Sequence, residues 1–383
     1  MNTTPAAVTP GTTRLPYQGE HEMLRETARR FFEDCRPHRE AWEAEGMVPR
    51  HVWRRAGELG LLCPRLPAVF GGSDGDFLFS VVLIEEQVRA GLAAPMISLH
   101  SDVVAPYIAH YGTPAQKAHV LPKLASGEWI AAVAMTEPEA GSDLRGIRTT
   151  ARRDGESWVI NGQKTFISNG CCADLIVLAA KAESGISLFL VETGGLEGFR
   201  RGAPLDKLGQ WAADTAELFF DDVRLPAEAL LGAEGQGFGL LRERLIEERL
   251  LTGITAVAMA EMAIRHTLEY TRQRKVFGKS VLDFQNSRFK LTEAMTDTDV
   301  ARTFLDGCIL GFMEGRLGEA EAAMLKYWTT DLQNRVADDC LQLHGGYGYM
   351  LEYPIARLWL DSRVARIYGG SNEIMLEIIG RSL

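Results

Sequence analysis

The spacing of apolar residues divides the chain into three regions. Between residues 19 and 129 they recur every three or four positions, as in Leu24, Ala28 and Phe31, which predicts helices. From 130 to 235, short apolar runs at 175–180, 186–191 and 216–220 lie between turn residues, which predicts strands. Helical spacing returns over about 236–274, 283–313, 319–343 and 361–380, which predicts a bundle of four long helices.

These regions predict a multidomain α and β protein. The segment Trp158-Val159-Ile160, followed by Asn161-Gly162, predicts a hairpin turn. Several short strands with such turns favour a small barrel or sandwich. The predicted order is a flexible arm at 1–18, an N-terminal helical domain at 19–129, a middle β-barrel domain at 130–235 and a C-terminal four-helix bundle at 236–383.

Composition narrows the functional classes. The 383 residues carry a net charge of −10, which argues against nucleic acid or an anionic membrane as the main partner. No apolar run reaches the length of a membrane span, and the Thr- and Pro-rich N-terminus lacks the features of a secretory signal. The six cysteines have neither disulfide nor zinc spacing, and the eight histidines form no metal-binding pair. We expect a cytoplasmic protein without a metal site.

Glu248 stands where the longest predicted helix should carry an apolar side chain. It shares one helix face with residues spaced three or four positions apart: Leu241, Leu245, Thr252, Thr255, Met259 and Met262. A carboxylate held in an apolar site is suited to removing a proton from carbon. The alternative is that Glu248 lies on the edge of this stripe and is solvated, like its neighbour Glu247.

Two polar segments of the β region are candidate ligand contacts. The first, 135–143, follows an apolar run and contains the hydroxyls of Thr136 and Ser142, with Gly141 allowing close approach to the backbone. In the second, 161–170, Phe166 and Ser168 point to the same side of a strand. They could shield and hydrogen-bond a flat ring system, or they could be ordinary strand packing.

Two further segments belong to the helical region. Arg272, Arg274, Lys275 and Lys279 cluster near a helix end, where they either favour the helix dipole or contact a pyrophosphate. Glycines flanked by hydrogen-bonding side chains occur at 342–346 and 368–373. Such glycines suit the close approach of a large cofactor.

Together these segments resemble the signatures of the acyl-CoA dehydrogenase family, and the resemblance runs from about Gly19 to Leu383. It rests on MTEPEAGSD (135–143), NGQKTFISNG (161–170), RQRKVFGK (272–279) and the stretch from QLHGGYGYM to YGGSNEIM (342–375). The resemblance implies an N-terminal helical domain, a middle β-barrel and a C-terminal four-helix bundle. It also implies FAD as cofactor and a role in fatty acid metabolism.

The resemblance implies roles for particular residues. Those expected to contact FAD are Met135, Thr136, Gly141, Ser142, Phe166, Ser168, Arg274, Phe277, Gln285, Gln342, Leu343, His344, Gly345, Gly346, Ser371 and Glu373. Of these, Arg274, Phe277, Gln285 and the 342–346 segment would reach the FAD of a neighbouring subunit, which implies a homodimer or homotetramer. Ser142, Arg249, Tyr368 and Gly369 would contact the substrate, although Arg249 could equally form a structural ion pair.

The chain departs from the common family pattern at two positions. Glu139 stands where glycine is common, and Gly369 stands where many members carry their catalytic glutamate. The isovaleryl and long-chain members place the glutamate before an arginine on another bundle helix, which matches Glu248-Arg249 here. The resemblance therefore implies Glu248 as the base.

The implied reaction is the α,β-dehydrogenation of an acyl-CoA thioester. Glu248 would remove an α-proton while a hydride leaves the β-carbon for flavin N5, giving the trans-2-enoyl thioester. The backbone N–H of Gly369 would polarise the thioester carbonyl. The resemblance further implies that an electron-transfer flavoprotein accepts the electrons.

Three other readings remain open at this level. The acyl group could be attached to a carrier protein instead of CoA. The same scaffold could serve a flavin oxidase or monooxygenase, although members of that kind commonly lack the base. The protein could also be a catalytically silent acyl-thioester-binding or assembly protein.

Overall fold

The computed structural model describes residues 15–383, so most of the predicted arm, 1–18, lies outside the described residues. The polypeptide forms two compact units, the first spanning Gln18–Glu248 and the second including Arg249–Leu383. The first contains helices followed by a sheet, and the second is helical apart from a two-stranded hairpin. The predicted order of helical, β and helical regions is confirmed.

Six short helices open the first unit. They are α1 (Gly19–Cys35), α2 (Arg39–Glu45), α3 (Arg50–Glu58), α4 (Phe77–Arg89), α5 (Ala105–Tyr111) and α6 (Pro114–Ala125). Asp76 caps α4 by accepting from the Leu78 N–H, and Thr113 and Gln116 form a capping box at α6. The stripe of Leu24, Ala28 and Phe31 packs on one side of α1, as predicted, within a core that includes Trp53.

A short π-helical turn, Leu99–Val104, leads into α5. Its His100 is fully buried, with Nε2 3.0 Å from the Leu124 carbonyl and Nδ1 accepting from the Ala131 N–H at 3.1 Å. Burial lowers the pKa of His100 to about 4, so the ring is neutral. This histidine therefore ties the π-helical turn to α6 and to the first strand.

An eight-stranded sheet follows these helices in the first unit. Its strands are β1 (Ala131–Ala134), β2 (Thr150–Asp154), β3 (Ser157–Ser168), β4 (Leu175–Ala182), β5 (Gly185–Glu192), β6 (Phe199–Arg201), β7 (Thr215–Pro226) and β8 (Leu230–Leu231). The paired order is β6-β7-β3-β2-β4-β5-β8, with β1 parallel to β4. The three predicted apolar runs are confirmed as β4, β5 and β7, and their inward side chains form a core around Trp158 and Phe189.

The predicted hairpin turn at Asn161-Gly162 is wrong. Both residues lie inside β3, and the turn between β2 and β3 falls at 154–157. Gly162 instead marks a shift in the pairing of β3 with β7. Its φ is +148°, and a Cβ there would lie 2.5 Å from Thr149 Oγ1, so glycine is needed for close strand packing and not for a turn.

Helix α7 (Gly237–Gln273) begins in the first unit and continues into the second. The second unit adds β9 (Lys275–Val276), β10 (Lys279–Ser280), α8 (Gln285–Met313), α9 (Glu319–His344), α10 (Pro354–Ser362) and α11 (Asn372–Gly380). Three of the four predicted long helices are confirmed as α7, α8 and α9. Within residues 15–383, no helix is both long and apolar enough to cross a membrane.

The fourth predicted helix, 361–380, is wrong as a single element. The chain forms α10, a 3-10 turn at Arg363–Arg366, a loop and then α11. Gly369 and Gly370 interrupt the helix because both have positive φ, +66° and +88°. The apolar residues on either side of the loop keep a spacing that is typical of one continuous helix, so this pattern does not indicate the break.

Candidate functional site

The first part of α7 carries Glu248 on a largely buried face. Leu241 and Thr252, on the same stripe, are 1% and 4% exposed, while Glu248 itself is half-buried. Further along, Met259 and Met262 are also buried. Glu248 is thus a carboxylate among apolar and hydroxyl-bearing neighbours on its helix face, as the spacing predicted.

Glu247 differs from the solvated residue that the alternative reading expected. It is 3% exposed and forms an ion pair with Arg65, which precedes α4. Arg244 Nη1 lies 3.4 Å from its other carboxylate oxygen. The expectation that Glu247 is solvated is wrong, because two cations supplied from different parts of the unit compensate its burial.

Arg65 also extends this charged cluster toward the π-helical turn. Its Nη1 lies 3.7 Å from Asp102 Oδ1, and Ser80 Oγ of α4 donates to the same carboxylate oxygen at 2.6 Å. Asp102 is 3% exposed. Burial raises the pKa of Asp102 to about 6, although the charge of Arg65 and the Ser80 hydrogen bond oppose the rise.

Tyr107 of α5 is a buried residue that the charge of Glu248 influences. It is fully buried, and within residues 15–383 its hydroxyl has no hydrogen-bond partner. Burial first, and then the negative charge of Glu248, raise the pKa of Tyr107 well above its ordinary value. A neutral phenol thus lies within electrostatic reach of the carboxylate.

A second group of predicted residues meets at the end of β1. The Thr165 N–H of β3 donates to the Thr136 carbonyl at 2.9 Å, and Lys164 Nζ donates to the Met135 carbonyl at the same distance. The loop that follows β1 is therefore fixed on the strand that carries Phe166 and Ser168. The structure brings these two predicted segments together.

Lys164 and Glu137 are residues that sequence reasoning missed. Lys164 is fully buried, and its Nζ lies 2.7 Å from Glu137 Oε1. Glu137 also accepts from the backbone N–H groups of Arg148 and Thr149, at 2.6 and 3.0 Å. Burial opposes ionisation of Glu137, but the hydrogen bond from Lys164 and the two backbone donors hold its pKa below the usual value. The residue types alone do not indicate that Lys164 and Glu137 form a buried ion pair.

Four of the predicted ligand contacts in this region are partly or fully exposed. Phe166 has φ +57° and is 68% exposed, at an irregularity in the pairing of β3 with β7, and Ser168 is half-buried. Gly141 and Ser142 are exposed, and a Cβ at Gly141 would meet nothing within 4 Å. Exposed aromatic, hydroxyl and glycine positions beside an anchored loop can accept a flat ligand.

Glu139, the first departure from the family pattern, does not strain this loop. It is absent from the described residues with positive φ, so its position does not require glycine. Its side chain is exposed and forms an ion pair with Arg148. The backbone groups of Glu137 and Ala140 pair with each other on either side of it, at 3.0 and 3.1 Å.

In the second unit, Arg274 and the predicted segment 342–346 line one groove of about 670 Å³. Tyr270 stacks on His344 with ring centroids 4.2 Å apart, and Arg274 lies over the Tyr347 ring. Burial lowers the pKa of His344, although the hydrogen bond between its Nδ1 and the Cys340 carbonyl, at 2.9 Å, opposes this shift. A cation beside glycine backbone suits a phosphate-containing ligand.

Phe277 and Gln285 lie at the rim of this unit. Phe277 and Gly278 form the two-residue turn between β9 and β10, both with positive φ, +48° and +81°. The Phe277 side chain is 95% exposed, and Gln285, the first residue of α8, is also exposed. Neither residue lines the groove of Arg274.

The loop before α11 carries Tyr368, Gly369 and Ser371, and the first turn of α11 carries Glu373. Gly369 has a φ of +66° in this loop. Ser371 Oγ caps α11 by accepting from the Ile374 N–H, and Glu373 is exposed in the first turn. Hydrogen bonds from its own backbone N–H and from Ser371 lower the pKa of Glu373. Lys326, which sequence reasoning missed, reaches this loop from α9.

Arg249 is 3% exposed at the start of the second unit, and its Nη1 lies 3.5 Å from Glu319 of α9. This contact favours the ion-pair reading of Arg249. All six cysteines are free thiols, as their spacing predicted.

Comparisons with known proteins agree with this architecture. The chain matches three family models: acyl-CoA dehydrogenase N-terminal domain over residues 18–128, middle domain over 132–223 and C-terminal domain over 235–383. It is 48% identical over 378 residues to the long-chain specific acyl-CoA dehydrogenase of Sus scrofa mitochondria, covering 97% of this chain and 88% of that protein.

Solved structures give the same result. An acyl-CoA dehydrogenase from Geobacillus kaustophilus superposes with a TM-score of 0.94 at 48% identity, covering 97% of this chain and 99% of that one. A glutaryl-CoA dehydrogenase from Mycobacterium smegmatis, in complex with FADH2, gives a TM-score of 0.88 at 28% identity, with 96% and 95% covered.

Proposed function

Because the chain belongs to the acyl-CoA dehydrogenase family and is a flavin-dependent oxidoreductase acting on CH–CH groups, we propose a specific reaction for it. It converts an acyl-CoA thioester into the trans-2-enoyl-CoA, with FAD as cofactor and Glu248 as the base. The observation that carries this proposal is the half-buried Glu248 carboxylate on the buried face of α7.

Glu248 removes the α-proton. A carboxylate with few water contacts is a stronger base than a solvated one, because desolvation penalises its charge. Glu247, its neighbour, is committed to Arg65 and Arg244 and does not compete for the substrate proton. The buried Tyr107 phenol adds a polar group near Glu248 without adding a charge.

The α-proton of a thioester is weakly acidic, so the developing negative charge on the carbonyl oxygen needs a hydrogen-bond donor. We assign this role to the Gly369 N–H, which lies in the loop between the 3-10 turn at Arg363–Arg366 and α11. A backbone donor does not depend on the side chain, so the absence of a carboxylate at Gly369 leaves this role intact. Ser142 and Tyr368 would contact the thioester beside it.

The residues present fit a flavin dinucleotide. The groove of Arg274 and Gln342–Gly346 offers a cation, glycine backbone and about 670 Å³ of space to the FAD of a neighbouring subunit. The loop with Met135, Thr136, Gly141 and Ser142, beside Phe166 and Ser168, offers hydroxyls and an exposed aromatic face. When bound, FAD supplies the acceptor, at its N5, for the hydride that leaves the substrate β-carbon.

Two partners follow from the same proposal. Phe277 and Gln285 are exposed, which supports their contact, together with Arg274 and the 342–346 segment, with the FAD of a neighbouring subunit in a homodimer or homotetramer. Ser371 and Glu373 would contact the nucleotide end of FAD. An electron-transfer flavoprotein would reoxidise the flavin.

The test is anaerobic mixing of the holoenzyme with saturated acyl thioesters of varied length and branching, each offered on CoA and on a carrier protein. We expect the flavin to bleach with a CoA thioester and the product to be the trans-2-enoyl-CoA by mass spectrometry. Bleaching only with the carrier-protein thioester would contradict the CoA assignment. Rapid reoxidation by air of the substrate-reduced flavin would favour an oxidase, and absence of bleaching with every thioester would favour a silent binding protein.

A further inference from the structure

Lys326 is a fully buried cation in the interior of the second unit. It lies on α9, and its side chain is 0% exposed. Its Nζ donates to the Gly370 carbonyl at 2.7 Å and to Asn372 Oδ1 at 3.0 Å. Burying an ammonium group is costly, so a lysine in this position must gain strong, fixed hydrogen bonds in return.

The two acceptors of Lys326 lie in the loop before α11 and at the first residue of that helix. Gly369 and Gly370 both have positive φ, and without Cβ atoms they lack the steric limits that would keep the loop in one conformation. A Cβ at Gly370 would lie 2.7 Å from the Met375 side chain, so the loop also passes close to α11. Two consecutive glycines in this position need an anchor from outside the loop.

Asn372, the second acceptor of Lys326, is itself held in place by hydrogen bonds to α9. Its Nδ2 donates to Thr330 Oγ1 at 3.1 Å and to Asp331 Oδ1 at 2.9 Å, both on α9. Asn372 thereby holds its Oδ1 toward Lys326. The ammonium group then connects this fixed amide to the Gly370 carbonyl, which is the flexible part of the loop.

We propose that Lys326 is a positioning residue, which holds the Gly369-Gly370 turn so that the Gly369 N–H points at the thioester oxygen. This inference rests on the proposed function, because it assigns a purpose to an N–H that polarises a substrate carbonyl. The Gly370 carbonyl lies one residue from that donor. Fixing the carbonyl by a charge-assisted hydrogen bond restricts the dihedral angles of Gly370 and, through the peptide group that joins the two glycines, those of Gly369, whose N–H is the donor.

The test compares Lys326→Met, which keeps the chain length and removes the ammonium, with Lys290→Met. Lys290 pairs with Asp339 at the surface of the same unit and serves as the matched control. Each holoenzyme is titrated with cinnamoyl-CoA, a conjugated thioester whose absorption moves to longer wavelength when its carbonyl is polarised. The rate of anaerobic flavin reduction is then measured with the best saturated acyl-CoA.

We expect Lys326→Met to retain flavin and to bind cinnamoyl-CoA with a smaller red shift than the wild type. Flavin reduction should fall by about tenfold to a hundredfold, part of the loss seen when an oxyanion donor is removed entirely. Lys290→Met should match the wild type in both measurements. A wild-type red shift and rate in Lys326→Met would overturn the proposal.

If Lys326→Met fails to fold with flavin, Lys326→Gln, which keeps an uncharged polar end, takes its place with the same expectation. Failure of both variants to fold, with Lys290→Met normal, would overturn the proposal in favour of a purely structural role. If the wild type neither reduces its flavin with any acyl-CoA nor shifts the cinnamoyl-CoA band, the proposed function fails and this inference fails with it. A wild type that does both, with an unaffected Lys326→Met, rejects only the role of Lys326.

Discussion

Glu247 and Glu248 are adjacent carboxylates with different environments. Successive residues of a helix point about 100° apart around its axis. Glu247 therefore lies against Arg65 and Arg244, whereas Glu248 lies on the stripe that contains Leu241 and Thr252. The first carboxylate is compensated by two cations, and the second shares its helix face with apolar and hydroxyl-bearing side chains.

Replacing Glu247 with Gln should mainly reduce stability. The change leaves Arg65 and Arg244 near each other without the carboxylate between them, and breaking a buried ion pair in this way costs about 3 kcal/mol. The control is Glu243→Gln, because Glu243 is exposed one turn earlier on the same helix. Urea denaturation of both variants measures the change in the free energy of unfolding. A stability equal to that of Glu243→Gln would show that the buried pair contributes nothing.

Asp102 should make stability depend on pH. Its pKa is raised to about 6 in the folded protein, so between its ordinary pKa near 4 and pH 6 the folded state binds more protons than the unfolded state. This contribution to stability is present at low pH and is lost as pH rises through 6.

Asp102→Asn, which imitates the protonated acid, removes this dependence. The free energy of unfolding of the wild type, relative to Asp102→Asn, should fall by up to roughly 3 kcal/mol between pH 4 and 7. Urea denaturation at several pH values measures the difference. A constant difference across this range would mean that Asp102 has an ordinary pKa.

Lys164→Met should release the loop that follows β1. The variant loses the hydrogen bond to the Met135 carbonyl and leaves the buried Glu137 carboxylate without its cation. We expect a loss of about 3 kcal/mol in stability and of most bound flavin on gel filtration. Lys181→Met, on an exposed position of β4, is the control. Flavin retention equal to that of the control would exclude Lys164 from supporting the cofactor site.

Phe277→Gly should weaken flavin binding without reducing the stability of the fold. Glycine tolerates the φ of +48° that strains phenylalanine, so thermal stability of the isolated chain should be unchanged or higher. If the phenyl ring covers the FAD of a neighbouring subunit, flavin should dissociate several times faster from the variant. Val69→Ala, which also shortens an exposed apolar side chain, should leave flavin dissociation unchanged. An unchanged rate for Phe277→Gly would rule out the inter-subunit contact.

Much of the fold was predictable because apolar spacing reflects burial on one side of a helix or strand. The long helices α7, α8 and α9 and the strands β4, β5 and β7 all carry such patterns. Local patterns failed where distant contacts decide the conformation. Asn161-Gly162 has the residues of a turn, but pairing with β7 keeps it within a strand.

The candidate site was predictable in its exposed and glycine-containing segments, because their residue types are unusual for their positions. The supporting residues were not. Lys164 and Lys326 are buried, yet a lysine gives no sign in sequence that a carbonyl or carboxylate will surround it. The burial of Glu247 was predicted wrongly for the same reason, because its partner Arg65 comes from a distant part of the chain.

The most direct test of Glu248 as the base is the rate of flavin reduction in Glu248→Gln. The holoenzyme is mixed anaerobically with the best acyl-CoA, beside Glu247→Gln, which makes the same chemical change one residue earlier. We predict that Glu248→Gln binds FAD and folds normally but reduces its flavin about 10²- to 10⁴-fold more slowly, the usual contribution of a general base. Folded Glu247→Gln should stay within a few-fold of the wild type. Bleaching of the Glu248→Gln flavin at the wild-type rate would contradict the assignment.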